Sequence, residues 1–306
     1  MDALFVLLGL VGLFVGGEFL VRGSVAVARG FGISPLLIGL TVVGFGTSTP
    51  ELLVSVDAAL RGLPDIALGN VVGSNIANIL LIVGVSALLW PITLNGNFPK
   101  RDLVTMLVAA LLLLPLFTLG AVGRVAGMVL VGGLVIYLVL AFRGARGEQE
   151  VQPEYGAAMP LWVAGGLVVV GLLALLVGAR LLIDGAVAIA RDFGLSEAFI
   201  GLTIVAVGTS LPELATSLVA ALRRQSDIAI GNVVGSNIFN ILGILGATAI
   251  IAPIPVAARF LAFDLPVMLV ASLLLAGLLL FRWSLGRPVG LLMLVAYAAY
   301  VWAAQG

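Results

Sequence analysis

Two short segments concentrate the residue types that bind hard cations. The first is Gly44-Phe45-Gly46-Thr47-Ser48-Thr49-Pro50-Glu51, with a counterpart at Ala206-Val207-Gly208-Thr209-Ser210-Leu211-Pro212-Glu213. The second is Ser74-Asn75-Ile76-Ala77-Asn78, which recurs as Ser236-Asn237-Ile238-Phe239-Asn240. Together they offer two carboxylates, several amides and several hydroxyls, all oxygen donors if the amides bind through oxygen. That set suits Ca²⁺ or Na⁺ and is poor for zinc or copper. The chain has no Cys and no His. Thiolate and imidazole metal sites are therefore excluded, as are paired-histidine zinc proteases and a Ser-His-Asp triad.

The elements that must carry these segments are membrane spans. Of 306 residues, 62% are hydrophobic and 10% charged, against about 25% charged in an ordinary soluble domain. Mean hydropathy is +1.26. The apolar runs are continuous rather than alternating, which predicts helices and not a β-barrel. Ten spans are expected, near 3–28, 33–60, 65–90, 102–120, 123–143, 159–190, 196–222, 228–250, 261–282 and 287–304. The N-terminus lacks a positive leader, so its first run reads as a retained helix. Residues 144–158, with Arg146, Glu148, Glu150 and Glu154, read as a solvated cytoplasmic linker between halves 1–143 and 159–306.

The two halves align without gaps at an offset of 162, and residues 29–84 match 191–246 at 36 of 56 positions. GNVVGSNI occurs word for word at 69–76 and 231–238. The repeated motifs span 39–84 and 201–246. Five spans per half is an odd number, so the second copy is inserted upside down. The expected fold is an all-α membrane protein of ten transmembrane helices in two inverted five-helix repeats, with the site helices interrupted near the midplane. Inverted repeats of this kind mark secondary transporters, with the site at the repeat interface.

Gly followed by Pro interrupts the helix in both copies. Pro50 and Pro212 each remove one N–H and push back the carbonyl four residues earlier, at Gly46 and Gly208. A carbonyl freed at membrane depth needs a partner, and a desolvated cation is a good one. Glu51 and Glu213 then sit beside the positive end of a half-helix. A charge at the membrane centre costs at least about 2.5–3.5 kcal/mol, so two such residues amid polar donors favour cation ligation over packing. Ser74 and Asn78 share one helix face, as do Ser236 and Asn240. Gly69, Gly73, Gly231 and Gly235 permit close backbone approach. Asn75 and Asn237 point elsewhere and are expected to bond the neighbouring interrupted helix.

The remaining charges set orientation and raise a gating question. Loop cations number nine on one side (Arg29, Lys100, Arg101, Arg143, Arg146, Arg223, Arg224, Arg282, Arg287) and four on the other (Arg61, Arg124, Arg191, Arg259). This bias puts both termini outside the cytoplasm. Glu18 and Arg22 in the first span correspond to Arg180 and Asp184 in the sixth, with signs reversed. A local i,i+4 pair is expected in each; latches between the two spans are the alternative. Asp57 reads as an entrance or interfacial group.

GTSTPELLVS with GNVVGSNIAN, and GTSLPELATS with GNVVGSNIFN, resemble the two α-repeats of the Ca²⁺/cation antiporter family. The resemblance covers essentially the whole chain and is nearest to the compact prokaryotic sodium/calcium exchangers. It implies Na⁺-driven exchange of Ca²⁺ by alternating access in the cell (inner) membrane. It also implies a ligand set of Glu51, Glu213, Asn78, Ser48, Ser210, Thr47, Thr209, Ser74 and Ser236, with Gly44 and Ala206 acting through their carbonyls. Asn240 occupies the place equivalent to Asn78 and joins the set, although several family members carry Asp there. No cofactor is implied beyond the transported Ca²⁺ and Na⁺. Zero net charge and a single Lys, Lys100, argue against nucleic acid. The expected surroundings are the lipid bilayer, with no obligatory protein partner. A proton/calcium antiporter on the same scaffold is the alternative. A channel would normally place its carboxylates around a multimer axis, and an enzyme lacks a nucleophile–base pair.

Overall fold

The computed structural model describes residues 2–93, 99–145, 159–193, 206–281 and 284–304. Helix α1 (Asp2–Phe31) is followed by α2 (Pro35–Thr47) and α3 (Thr49–Leu60), one span bent by 43° at Ser48. Then come α4 (Pro64–Leu89), α5 (Lys100–Thr118) and α6 (Arg124–Ala145). The second half has α7 (Leu161–Asp192), a single turn at Ala206–Gly208, and α8 (Leu211–Leu222). It ends with α9 (Ser226–Ile251), α10 (Phe260–Leu280) and α11 (Arg287–Ala304). Among the described residues, eight helices are long and apolar enough to cross a membrane, and nine spans result when α2 and α3 count as one. Of the expected span 196–222, the turn and α8 are described and the remainder lies outside the described residues, as does the linker from 146 to 158.

Burial ranks the helices. In α4 and α9, 78% of the most apolar window is buried inside the protein, against 11% in α11. α4 and α9 therefore form the centre, and α5, α6, α10 and α11 expose apolar faces such as Val104, Val135, Val270 and Leu292. The regular helix widens to a π-turn at Gly39–Val43, Asn78–Val83 and Phe239–Leu245. Such bulges release a backbone group from the ladder and recur at functional sites. Sequence periodicity carries no signal for them.

α1 and α7 lie against each other along most of their length. Gly9, Gly16 and Gly23 recur every seventh residue in α1, and Gly171, Gly178 and Gly185 do so in α7 at the 162 offset. A Cβ on Gly16 would lie 2.7 Å from the Leu175 nitrogen, and one on Gly178 would lie 2.7 Å from the Leu13 nitrogen. Gly9 faces Gly178, Gly16 faces Gly171 and Gly23 faces Ala164, so the helices run antiparallel. Without a hydrophobic drive between helices in lipid, close backbone packing of small residues supplies the attraction.

The periphery is braced at helix ends. Asp102 and Asp264, equivalent at the 162 offset, are both buried. Arg101 donates to Asp102 at 2.9 Å and to the Leu140 carbonyl at 2.9 Å, tying α5 to the end of α6. Arg259 donates to Asp264 at 3.3 Å and to the Ala304 carbonyl at 2.8 Å, tying α10 to the end of α11. Two loop contacts cross between the halves: β1 (Ala121–Val122) pairs antiparallel with β2 (Ile254–Pro255), and Ile92 bridges Leu285.

The glycine seam makes a direct prediction. Gly16→Leu should destabilise the protein by about 1–3 kcal/mol through overpacking. Gly132→Ala, where an added Cβ meets nothing within 4 Å, should be neutral or stabilising by up to about 1 kcal/mol through helix propensity. Thermal denaturation in detergent checks both, and equal melting of the two variants would contradict the seam.

Candidate functional site

The proline breaks have one conformation in both halves. Ser48 ends α2 with φ −82° and ψ 11°, and Ser210 precedes α8 with φ −88° and ψ 7°. Pro50 and Pro212 each follow in the first turn of the next helix, where a missing N–H costs nothing. Each break therefore displays a serine hydroxyl and, three residues on, a glutamate. The hydroxyls cross over. Ser48 Oγ donates to Glu213 Oε1 at 2.8 Å, and Ser210 Oγ donates to Glu51 Oε1 at 3.2 Å. Both glutamates are only 1% exposed, and Oε2 of each has no protein partner.

The other expected residues gather around this core. Ser210 Oγ also lies 3.5 Å from Ser74 Oγ. Ser236 Oγ donates to the Gly44 carbonyl at 3.1 Å, and Thr47 Oγ1 donates to Asn232 Oδ1 at 3.1 Å. The Gly44 carbonyl also accepts the Ser48 N–H at 3.2 Å, so it is engaged by the protein in this conformation. Asn78 opens the π-turn of α4, and Asn240 lies in that of α9. Asn78 Nδ2 donates to Asn237 Oδ1 at 3.0 Å, while its own Oδ1 has no protein partner. Asn240 is buried with both amide atoms uncommitted. Thr209 is half-buried, and Ala206 begins the described turn before Ser210. α8 packs on the π-turn of α4, and α3 packs on that of α9.

Sequence reasoning passed over a second pair of asparagines. Asn70 Nδ2 donates to the Glu51 carbonyl at 2.9 Å and to Ser55 Oγ at 2.8 Å. Asn232 Nδ2 does the same for the Glu213 carbonyl at 3.2 Å and Ser217 Oγ at 2.8 Å. Each clamps the backbone of a site glutamate to the neighbouring helix. The signal was present, since Asn70 and Asn232 open the repeated NVVGSNI and Ser55 and Ser217 share the offset. Asn75, expected to bond a neighbouring helix, instead donates to the Val71 carbonyl of its own helix at 2.7 Å. Asn237 accepts from Asn78 of α4 and not from the interrupted helix expected for it.

Charges outside the core depart from a purely local pattern. Glu18 pairs with Arg22 as expected, but also with Arg223 at the end of α8, Nε to Oε2 at 2.8 Å. It thereby joins α1 to the bundle. Arg180 and Asp184 are 4.0 Å apart and largely exposed, and Asp57 pairs with Arg61 at 2.8 Å.

Against known proteins, the family described as "Sodium/calcium exchanger protein" matches residues 1–143 and 163–305. The chain is 42% identical to CaxA of Alkalimonas amylolytica over 97% of its own length and 96% of that protein. It is 34% identical to the sodium/calcium exchanger MaX1 of Methanosarcina acetivorans, covering 97% of each chain. A solved structure of the sodium-calcium exchanger NCX_Mj superposes with a TM-score of 0.84 at 35% identity, covering 98% of this chain and 97% of that one. With family, length and fold in agreement, the chain belongs to the sodium/calcium exchanger family of membrane antiporters.

Proposed function

We propose that this protein exchanges Na⁺ for Ca²⁺ across the cell membrane by alternating access, with Glu51 and Glu213 as the charged ligands. The observation that carries the reading is the reciprocal bonding of Ser48 to Glu213 and Ser210 to Glu51. It brings both carboxylates into one buried cluster and leaves an anionic oxygen of each uncommitted. Ser74, Ser236, Thr47, Thr209, Asn78, Asn240 and the Gly44 and Ala206 carbonyls supply neutral oxygens for a dehydrated ion. Ca²⁺ and Na⁺ are both oxygen-seeking cations, so they compete for the same ligands. Competition for one site that opens alternately to either side is what exchange requires.

The halves 1–143 and 159–306 are read as inverted repeats, joined by the cytoplasmic linker 144–158, with both termini outside. The antiparallel packing of α1 on α7, which are equivalent at the repeat offset, supports that topology. The glycine seam holds α1 and α7 together as one unit, and that unit is read as the part that moves against the bundle that holds the site. Coupling to H⁺ instead of Na⁺ is the second reading, favoured by the uncommitted Oε2 atoms, which could each hold a proton.

Calcium uptake by proteoliposomes under imposed Na⁺, K⁺ or pH gradients separates the readings, and the Na⁺ gradient is expected to drive it. Glu51→Gln and Glu213→Gln should each reduce this uptake at least about 100-fold while the protein folds. The amide keeps shape but removes a charge from a low-dielectric site, where each 1.4 kcal/mol is about tenfold. Near-wild-type uptake by either variant would sink the ligand assignment.

Movement of α1 is testable in this cysteine-free chain. A Cβ on Gly17 would lie 3.4 Å from Val219 Cβ of α8, close to disulfide distance. Oxidising Gly17→Cys paired with Val219→Cys should stop exchange, and reductant should restore it. Full exchange in the cross-linked protein would reject a moving α1.

A further inference from the structure

We propose that α7 forms a second, alternating latch on α3, in which Arg180 and Asp184 give up each other for Asp57 and Arg61. The proposal rests on the antiport reading above, with α1 and α7 moving as one unit between inverted halves. In this structure the first latch is closed. A Cβ on Gly17 of α1 would lie 3.0 Å from Val219 Cγ2 and 3.3 Å from the Ala215 carbonyl, both of α8. Beside that contact Glu18 holds Arg223, at the end of α8. Val219 is 3% exposed, and the Glu18 side chain 11%.

The 162-residue offset carries these residues onto the other half. Gly17, Glu18 and Arg22 become Ala179, Arg180 and Asp184 of α7, and Ala215, Val219 and Arg223 become Leu53, Asp57 and Arg61 in and just after α3. Here the equivalent faces are uncovered. Leu53 is exposed, the Asp57 side chain is 59% exposed, and the Arg180 side chain 85%. Among the described residues, the ion pairs of these four charges are the local ones, Asp57 with Arg61 and Arg180 with Asp184.

A direct copy of the Glu18–Arg223 contact would set Arg180 against Arg61. The reversed charges avoid that clash. α3 reads acid then base at 57 and 61, and α7 reads base then acid at 180 and 184. In the proposed topology the second and sixth spans run the same way, so laying α7 along α3 matches opposite charges at both positions. Exposed i,i+4 pairs contribute little, so little is lost when they exchange partners. The new pairs strengthen as the closing faces exclude solvent. Each latch therefore holds the moving unit at one end of its travel, and forming one requires opening the other.

The rate of disulfide formation between Gly17→Cys and Val219→Cys in liposomes reports how often α1 sits on α8, and it needs no transport. Glu18→Gln, which weakens the first latch, should slow it, and Asp184→Arg, which opposes the second, should speed it, each by about threefold to tenfold. Adding Arg61→Asp to Asp184→Arg leaves two bases on α7 and two acids on α3. No local pair can then form, so only the cross-helix contact can bring the rate back to that of the parent. The same double variant, without the cysteines, should recover Ca²⁺ exchange lost in Asp184→Arg. Both swapped positions are exposed, so folding is not at stake. Defects that merely add in the charge-swapped protein, or Glu18→Gln and Asp184→Arg shifting the rate in the same direction, would overturn the second latch. Wild-type protein without cation-driven Ca²⁺ exchange would overturn the antiport reading instead, and the cross-linking rates would still decide the latch.

Discussion

Two carboxylates buried in a membrane protein are the constraint around which the rest is arranged. Each isolated charge is costly in a low-dielectric interior. Three features answer that cost. A proline break turns a half-helix N-terminus toward each glutamate. A serine from the other break donates to one carboxylate oxygen. An asparagine pins the glutamate backbone to the adjacent helix. What stays uncommitted is one oxygen per carboxylate.

The helices around this cluster are not all packed in the same way. The central helices α4 and α9 are braced by cross-half hydrogen bonds and large buried side chains such as Ile76 and Ile79. The α1–α7 pair is held differently, through glycine seams with backbone against backbone. Such close backbone packing holds α1 and α7 to each other as one unit. Glu18 joins this pair to the end of α8 through Arg223, at the boundary between the two kinds of packing.

The halves share a pattern without being interchangeable. Phe45 stacks on Phe239 with centroids 4.3 Å apart, whereas the equivalent positions hold Val207 and Ala77. Gly243 makes room for the Phe239 ring, where its equivalent is Leu81. Arg224 occupies the left-handed conformation at φ 57° and lies over Trp90 at 4.9 Å, while its equivalent Gly62 takes φ 72° without strain. Both the Phe45–Phe239 stack and the Arg224–Trp90 contact join one half to the other.

Much of this was legible in the chain. Residue types, the 162-residue offset, the proline breaks and the apolar runs are local properties of composition and spacing. They pointed to the glutamates, to an oxygen-donor site and to the α1/α7 pairing as a question. The tertiary structure decided which hydroxyl meets which carboxylate. Ser48 reaches Glu213 and not Glu51, because the two breaks cross, and a crossing between segments 165 residues apart leaves no trace in either one. It also decided that Glu18 reaches Arg223 and that Asn75 bonds its own helix. It placed Asn78 and Asn240 on π-turns as well. Spacing names the groups available on a helix face; only the packing of distant faces selects the partners that satisfy them.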